Sequence, residues 1–223
     1  MFRIKICGIT NIDDACAAAD AGADAVGLNF FSKSRRFIRK EAAQRIAADM
    51  PEGIMKVGVF VDHDARQILE TVEQVGLDAV QLHGHEPPNL VAELPKHVPL
   101  IRAYRCGPEG LAPLVTYLGE CRALGRLPDA LLLDSDAGAD FGGSGTLADW
   151  EMIASYRPAL DLIGLPLILA GGLTPANVEA AIQAVRPDGV DVASGVENEP
   201  GRKARALVAQ FVTAAQQAFR HNG

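Results

Sequence analysis

Three side chains that can take part in proton transfer sit at the ends of apolar runs. Lys5-Ile6-Cys7-Gly8-Ile9-Thr10 carries an apolar stretch into a thiol and then a glycine. Gln81-Leu82-His83-Gly84 ends in an imidazole, and Leu131-Leu132-Leu133-Asp134 in a carboxyl. A thiolate acts as a base and a carboxyl as an acid where a fold brings them to one substrate. Each has a plainer reading alone. A buried cysteine packs as a small hydrophobe, a strand-end aspartate caps a loop, and a histidine bonds a loop carbonyl. Their common place, where a buried strand opens into a loop, favours chemistry.

Glycines supply a second feature. Ala170-Gly171-Gly172-Leu173-Thr174-Pro175 and Val192-Ala193-Ser194-Gly195-Val196-Glu197 each follow an apolar run. Such loops let backbone N–H groups approach an anion, above all a phosphate. A third, Phe141-Gly142-Gly143-Ser144-Gly145, could extend that cradle. Ser32-Lys33-Ser34-Arg35-Arg36 is either a solvated basic turn or a clamp for a carboxylate or phosphate, since a guanidinium binds a carboxylate through two parallel hydrogen bonds.

The elements that must position these groups alternate. Gly22-Ala23-Asp24-Ala25-Val26 recurs as Gly76-Leu77-Asp78-Ala79-Val80, Leu127-Pro128-Asp129-Ala130-Leu131 and Arg186-Pro187-Asp188-Gly189-Val190. The copies lie roughly 50–60 residues apart, about two βα units of ~30 residues. They mark strands two, four, six and eight; residues 4–7, 55–61, 99–103 and 166–170 supply the odd strands. Helices are expected at 13–21, 41–48, 65–75, 88–94, 108–118, 146–155, 175–185 and 203–220, the seventh capped by Thr174 with Pro175 at its first position. Eight such units predict an α/β fold, a single-domain (β/α)8 TIM barrel over residues 1–223, in preference to an open doubly wound sheet. Alternation of side chains then turns Lys5, Cys7, Gln81, His83, Leu132 and Asp134 into the barrel, and Ile4, Ile6, Val80, Leu82, Leu131 and Leu133 toward the helices.

Composition narrows the partners. A net charge of −7 argues against nucleic acid, so an anionic small molecule needs local donors. The four cysteines show no metal-binding spacing, and no run approaches the ~20 apolar residues of a membrane helix. Without a leader-like N-terminus, a reduced cytoplasmic location is expected. Barrel monomers and homodimers read alike.

Taken together, these motifs closely resemble the phosphoribosylanthranilate isomerase family of tryptophan biosynthesis over nearly the whole chain. The hallmarks are Lys5-Ile6-Cys7-Gly8-Ile9-Thr10, Gly22-Ala23-Asp24-Ala25-Val26-Gly27, Ser34-Arg35-Arg36-Phe37, Gln81-Leu82-His83-Gly84, Leu133-Asp134, the 141–145 loop and Asp191-Val192-Ala193-Ser194-Gly195-Val196-Glu197. The resemblance implies an Amadori rearrangement of N-(5-phosphoribosyl)anthranilate, a small phosphosugar, with no metal or organic cofactor. It implies Asp134 as general acid and Cys7 as general base. Arg36, His83 and Asp191 would contact substrate, Arg36 through the anthranilate carboxylate. Gly171, Gly172, Ser194 and Gly195 would hold the phosphate. Thr146, Ala170 and Ala193 depart from the family's usual lysine, serine and serine, which removes two hydroxyl contacts.

A carboxyl ordinarily ionises near ~4, so an acid of this kind needs burial or works from a minority form, whereas a thiol near ~8.5 suits carbon acids. Lys5, roughly 7 Å from Cys7 between Cα atoms, is expected to raise the thiolate fraction. Asp136 is the rival acid, further into the loop. Another phosphosugar isomerase and a catalytically silent phosphate-binding protein are the competing readings; the related histidine-pathway isomerase carries aspartate where Cys7 stands.

Overall fold

Short apolar runs, buried on both faces, become the strands of a parallel barrel. A computed structural model describes residues 1–107, 109–134 and 150–221, apart from the Glu151 side chain. The strands are β1 (Ile4–Cys7), β2 (Ala25–Asn29), β3 (Met55–Phe60), β4 (Ala79–Leu82), β5 (Leu100–Arg105), β6 (Ala130–Asp134), β7 (Leu167–Ala170) and β8 (Gly189–Val192). They pair in sequence order and close, β1 meeting β8 with Lys5 opposite Asp191. The predicted closed (β/α)8 barrel is the observed fold.

The recurring aspartate has a structural cause. Asp24, Asp78, Asp129 and Asp188 each accept a hydrogen bond from a backbone N–H at the first or second residue of the preceding odd strand, at Ile4, Lys56, Leu100 and Leu167, over 2.7–2.8 Å. Each aspartate's own N–H returns a bond to the carbonyl of that same residue. The repeat therefore ties the N-terminal ends of the strands in pairs.

Two apolar layers follow from the alternation. Ile4, Ile6, Val80, Leu82, Leu131 and Leu133 pack outward with helix residues such as Ile182 and Phe211. Phe2, Ala25, Val57, Ala79, Ile101, Ala130, Leu132 and Ile168 fill the lower barrel. Above them the interior turns polar, with Lys5, Gln81 and Asp191 all buried.

The helices are α1 (Ile12–Ala21), α2 (Lys40–Asp49), α3 (Ala65–Val75), α4 (Pro88–Glu93), α5 (Ala112–Ala123), α6 (Trp150–Ser155), α7 (Arg157–Ile163), α8 (Val178–Val185) and α9 (Arg205–His221). Three expectations are corrected. The seventh predicted helix starts at Val178, because Thr174 and Asn177 form a turn: the Thr174 N–H donates to Asn177 Oδ1, and Asn177 Nδ2 donates to Gly172 O. Thr174 thus shapes the loop after β7 and caps no helix. The helix expected to begin at 108 runs from Ala112 to Ala123, and α7 was not anticipated. A hairpin, β9 (Glu197–Glu199) with β10 (Arg202–Lys203), occupies the start assigned to the last helix. Asp136, Thr146 and the 141–145 glycine loop lie outside the described residues.

Candidate active site

Strand parity and barrel closure bring the candidate side chains to one mouth. An open cleft of about 810 Å³, counting the space that meets solvent, is lined among the described residues by Cys7, Asn29, Arg36, His83, Arg105, Asp134, residues 170–173 and residues 191–194. Of the nine predicted site residues, Cys7, Arg36, His83, Asp134, Gly171, Gly172, Asp191 and Ser194 line it. Gly195 does not. It lies behind the wall, where any Cβ would collide with the carbonyl oxygen of Leu173. The absence of a side chain there lets the β8 loop pack closely on the β7 loop.

Cys7 points inward over Gly27, its neighbour in the β1–β2 register. A Cβ at residue 27 would stand 2.6 Å from the Cys7 sulfur and 3.0 Å from Lys5 Cε, so glycine makes the room that the thiol and ammonium share. Lys5 is fully buried and its Nζ lies 2.9 Å from Asp191 Oδ2 and 2.6 Å from Gln81 Oε1. Burial pulls the Lys5 ammonium down, but Asp191 and Cys7 outweigh it and hold it above its ordinary value.

Burial and then the Asp191 charge push Cys7 up; Lys5, Lys203 and Arg36 oppose this without cancelling it. Lys5 therefore favours the thiolate as expected, while burial, and after it Asp191, set the net direction. Asp191 Oδ1 is buried and has no hydrogen-bond partner among the described residues. An orphan acceptor at a cleft wall asks for a donor from a ligand.

Arg36 is already engaged. Its Nε and Nη2 donate to the two carboxylate oxygens of Glu197 at 2.8 and 2.7 Å. One edge of the guanidinium is thus held by the hairpin, and its other edge is what remains for a ligand carboxylate. Lys203 Nζ donates to Glu197 Oε1 at 2.8 Å and to Ala193 O at 3.0 Å. Burial pushes Glu197 up, yet the Arg36 hydrogen bonds and the Lys203 charge win and hold it low. Asn29 and Ser34 fix the loop: Asn29 Nδ2 donates to Ser34 Oγ, which accepts from Arg36 N. Asn29 and Lys203 were not foreseen, and Glu197 was seen only as part of a motif. No local pattern signals a partner 161 residues away in sequence.

His83 sits between Gln81 and Asp134, its Nδ1 2.9 Å from Gln81 Nε2 and its Nε2 3.6 Å from Asp134 Oδ2. The turn behind it is held by buried Glu86, which accepts from Gly84 N and Asp62 N and pairs with Arg102 at 2.6 Å. Among the described residues no cluster of three or more His, Cys, Asp or Glu is set to hold a metal ion, and no helix is long and apolar enough to cross a membrane.

The family model described as N-(5'phosphoribosyl)anthranilate (PRA) isomerase matches residues 4–214. The chain belongs to that isomerase family. An N-(5'-phosphoribosyl)anthranilate isomerase of Thermotoga maritima is 41% identical over 216 residues, which cover 97% of this chain and 99% of the relative. One from Myxococcus xanthus is 44% identical over 215 residues, 96% of each. The solved T. maritima phosphoribosyl anthranilate isomerase superposes with a TM-score of 0.85 at 39% identity, covering 97% of this chain and all of that one. A second isomerase structure, in complex with reduced 1-(o-carboxyphenylamino)-1-deoxyribulose 5-phosphate, gives 0.80 at 38% identity with the same coverage.

Proposed function

We propose that this phosphoribosylanthranilate isomerase of tryptophan biosynthesis uses Asp134 as general acid and Cys7 as general base in the Amadori rearrangement of N-(5-phosphoribosyl)anthranilate. The observation that carries the reading is that both groups line one cleft at the C-terminal mouth of the barrel, the working face of such folds. Asp134 gives its proton to the furanose ring oxygen, the C1′–O bond breaks, and a Schiff base forms on the anthranilate nitrogen. The Cys7 thiolate removes the C2′ proton, and the electrons of that bond neutralise the iminium to an enolamine. Ketonisation yields 1-(2-carboxyphenylamino)-1-deoxyribulose 5-phosphate, so no redox partner or metal enters the balance.

The free edge of Arg36 takes the anthranilate carboxylate, with His83 beside the sugar. Asp191 Oδ1 accepts from a substrate hydroxyl or the anilino N–H, which answers its missing partner. Backbone N–H groups at Gly171, Gly172, Ser194 and Gly195 receive the phosphate, Gly195 also letting the two loops pack closely; Ala170 and Ala193 leave these contacts to the backbone.

Turnover of freshly prepared phosphoribosylanthranilate tests the reading. Cys7→Ala and Asp134→Asn should each lose about 10²–10⁴-fold in kcat with the fold retained, and chelator should leave the wild type unaffected. Near-normal kcat in either variant removes that residue from the mechanism. A T. maritima structure with a TM-score of 0.77 is of monomers generated from the dimeric isomerase, so a homodimer stands beside the monomer as an expected state, and sedimentation decides between them.

A further inference from the structure

An ammonium can only donate hydrogen bonds. Lys5 Nζ lies 2.6 Å from the Gln81 side chain, so Gln81 must turn its carbonyl oxygen to it. That orientation leaves the Gln81 amide nitrogen facing His83 Nδ1 at 2.9 Å. An amide NH₂ also only donates, so Nδ1 must accept through its lone pair. The imidazole hydrogen is then on Nε2, the atom 3.6 Å from Asp134 Oδ2. Each step leaves the next no choice of donor and acceptor. The alternative tautomer would set two donors against each other at Nδ1 and two lone pairs at Asp134.

We propose that Lys5 and Gln81 are positioning residues that lock His83 as the Nε2–H tautomer, making it a fixed donor to the carboxylate left on Asp134 as the substrate ring opens. At 3.6 Å the contact is longer than a hydrogen bond, and it shortens to one as negative charge develops on the oxygen. His83 is thereby excluded as a base at either nitrogen: Nε2 carries the hydrogen, and Nδ1 is occupied by the amide. The same side chain shares the space over Gly27 with the Cys7 sulfur, so one buried cation stands beside the proposed base and orients the proposed acid's neighbour through Gln81. Fixed dipoles of this kind need no rearrangement at the moment of reaction.

The inference rests on Asp134 being the acid, as proposed above, but its first test needs no substrate. Nitrogen NMR of protein carrying isotope-labelled histidine separates a protonated ring nitrogen from one with a lone pair; His83→Asn identifies the relevant signal among the five histidines. Wild type should show the hydrogen on Nε2. Gln81→Glu places an acceptor against Nδ1 and should move a hydrogen there, with kcat lower by about 10-fold or more and KM close to wild type. Gln81→Met, which offers Nδ1 nothing, should give mixed tautomers and a smaller loss in kcat. A wild-type hydrogen on Nδ1 overturns the proposal, as does a tautomer that follows Gln81 while kcat stays constant. Failure of the functional reading would instead show as an inactive wild type, whatever the spectrum reports.

Discussion

At the scale of single residues, the sulfur of Cys7 is governed by opposing neighbours. Burial and Asp191 disfavour the thiolate, while Lys5, Lys203 and Arg36 favour it, and the first pair wins. The proposed base acts in its deprotonated form, so kcat/KM should climb as pH rises, with the limb above the ordinary range of a free thiol. Asp191→Asn removes a raising charge and leaves an acceptor for Lys5. Its limb, and the ultraviolet titration of the thiolate, should move to lower pH; Lys5→Met should move both higher. An unchanged limb in Asp191→Asn would separate the pH dependence from this thiol. The sequence carried the inward parity of Lys5 and Cys7, and hence their meeting. It could not carry the net sign, which depends on how deeply the barrel buries the thiol and on Asp191 arriving from β8. Cys106 illustrates the contrast: a buried thiol near Asp134, it is pushed up to about 11 by burial and that charge.

At the scale of elements, the β9–β10 hairpin deserves the name of a brace. Residues 203–220 read as one helix, since apolar positions such as Val208, Phe211, Val212 and Ala215 repeat at helical spacing. The structure starts that helix at Arg205 and sends Lys203 under the mouth, its ammonium buried against Glu197 and Ala193. Glu197 therefore holds two cations and the Gly201 N–H, and through Arg36 it aims the loop after β2 at the cleft. Arg36→Ala should raise KM with kcat less affected, the mark of uniform binding. Glu197→Gln should follow in the same direction by a smaller factor, because the amide keeps one acceptor and loses the charge. It should also destabilise the fold by about 3 kcal/mol, as breaking one side of a buried ion pair leaves the partners uncompensated. A Glu197→Gln enzyme with wild-type KM, measured in steady state, would mean that Arg36 needs no such support. Pattern alone missed the brace because its strands are two and three residues long and its logic is charge, which hydrophobic periodicity does not encode.

At the scale of the whole molecule, the two ends of the barrel carry separate tasks. The mouth gathers the proposed reactive groups at strand ends and on the loops that follow, whereas the base is stitched by one device used four times. The period of the Asp24, Asp78, Asp129 and Asp188 repeat was legible in sequence, and it located the even strands correctly. Its physical reason was not, since the partner N–H groups lie on the preceding odd strand, 20–29 residues away. Each aspartate supplies a hydrogen bond at a partly wet edge, so replacement by alanine should remove about 1 kcal/mol of stability. For a domain of this size that is a fall in Tm of about 2–4 °C. The four sites serve different strand pairs, and the combined variant should lose close to the sum, about 4 kcal/mol. None of these carboxylates lines the cleft, so kcat and KM should remain within about twofold of wild type for each single variant. Calorimetry beside steady-state kinetics checks both halves at once. A single Asp→Ala that spared Tm but cut kcat 10-fold would show that strain at the base travels up the strands to the mouth, and that the barrel's two ends are not independent.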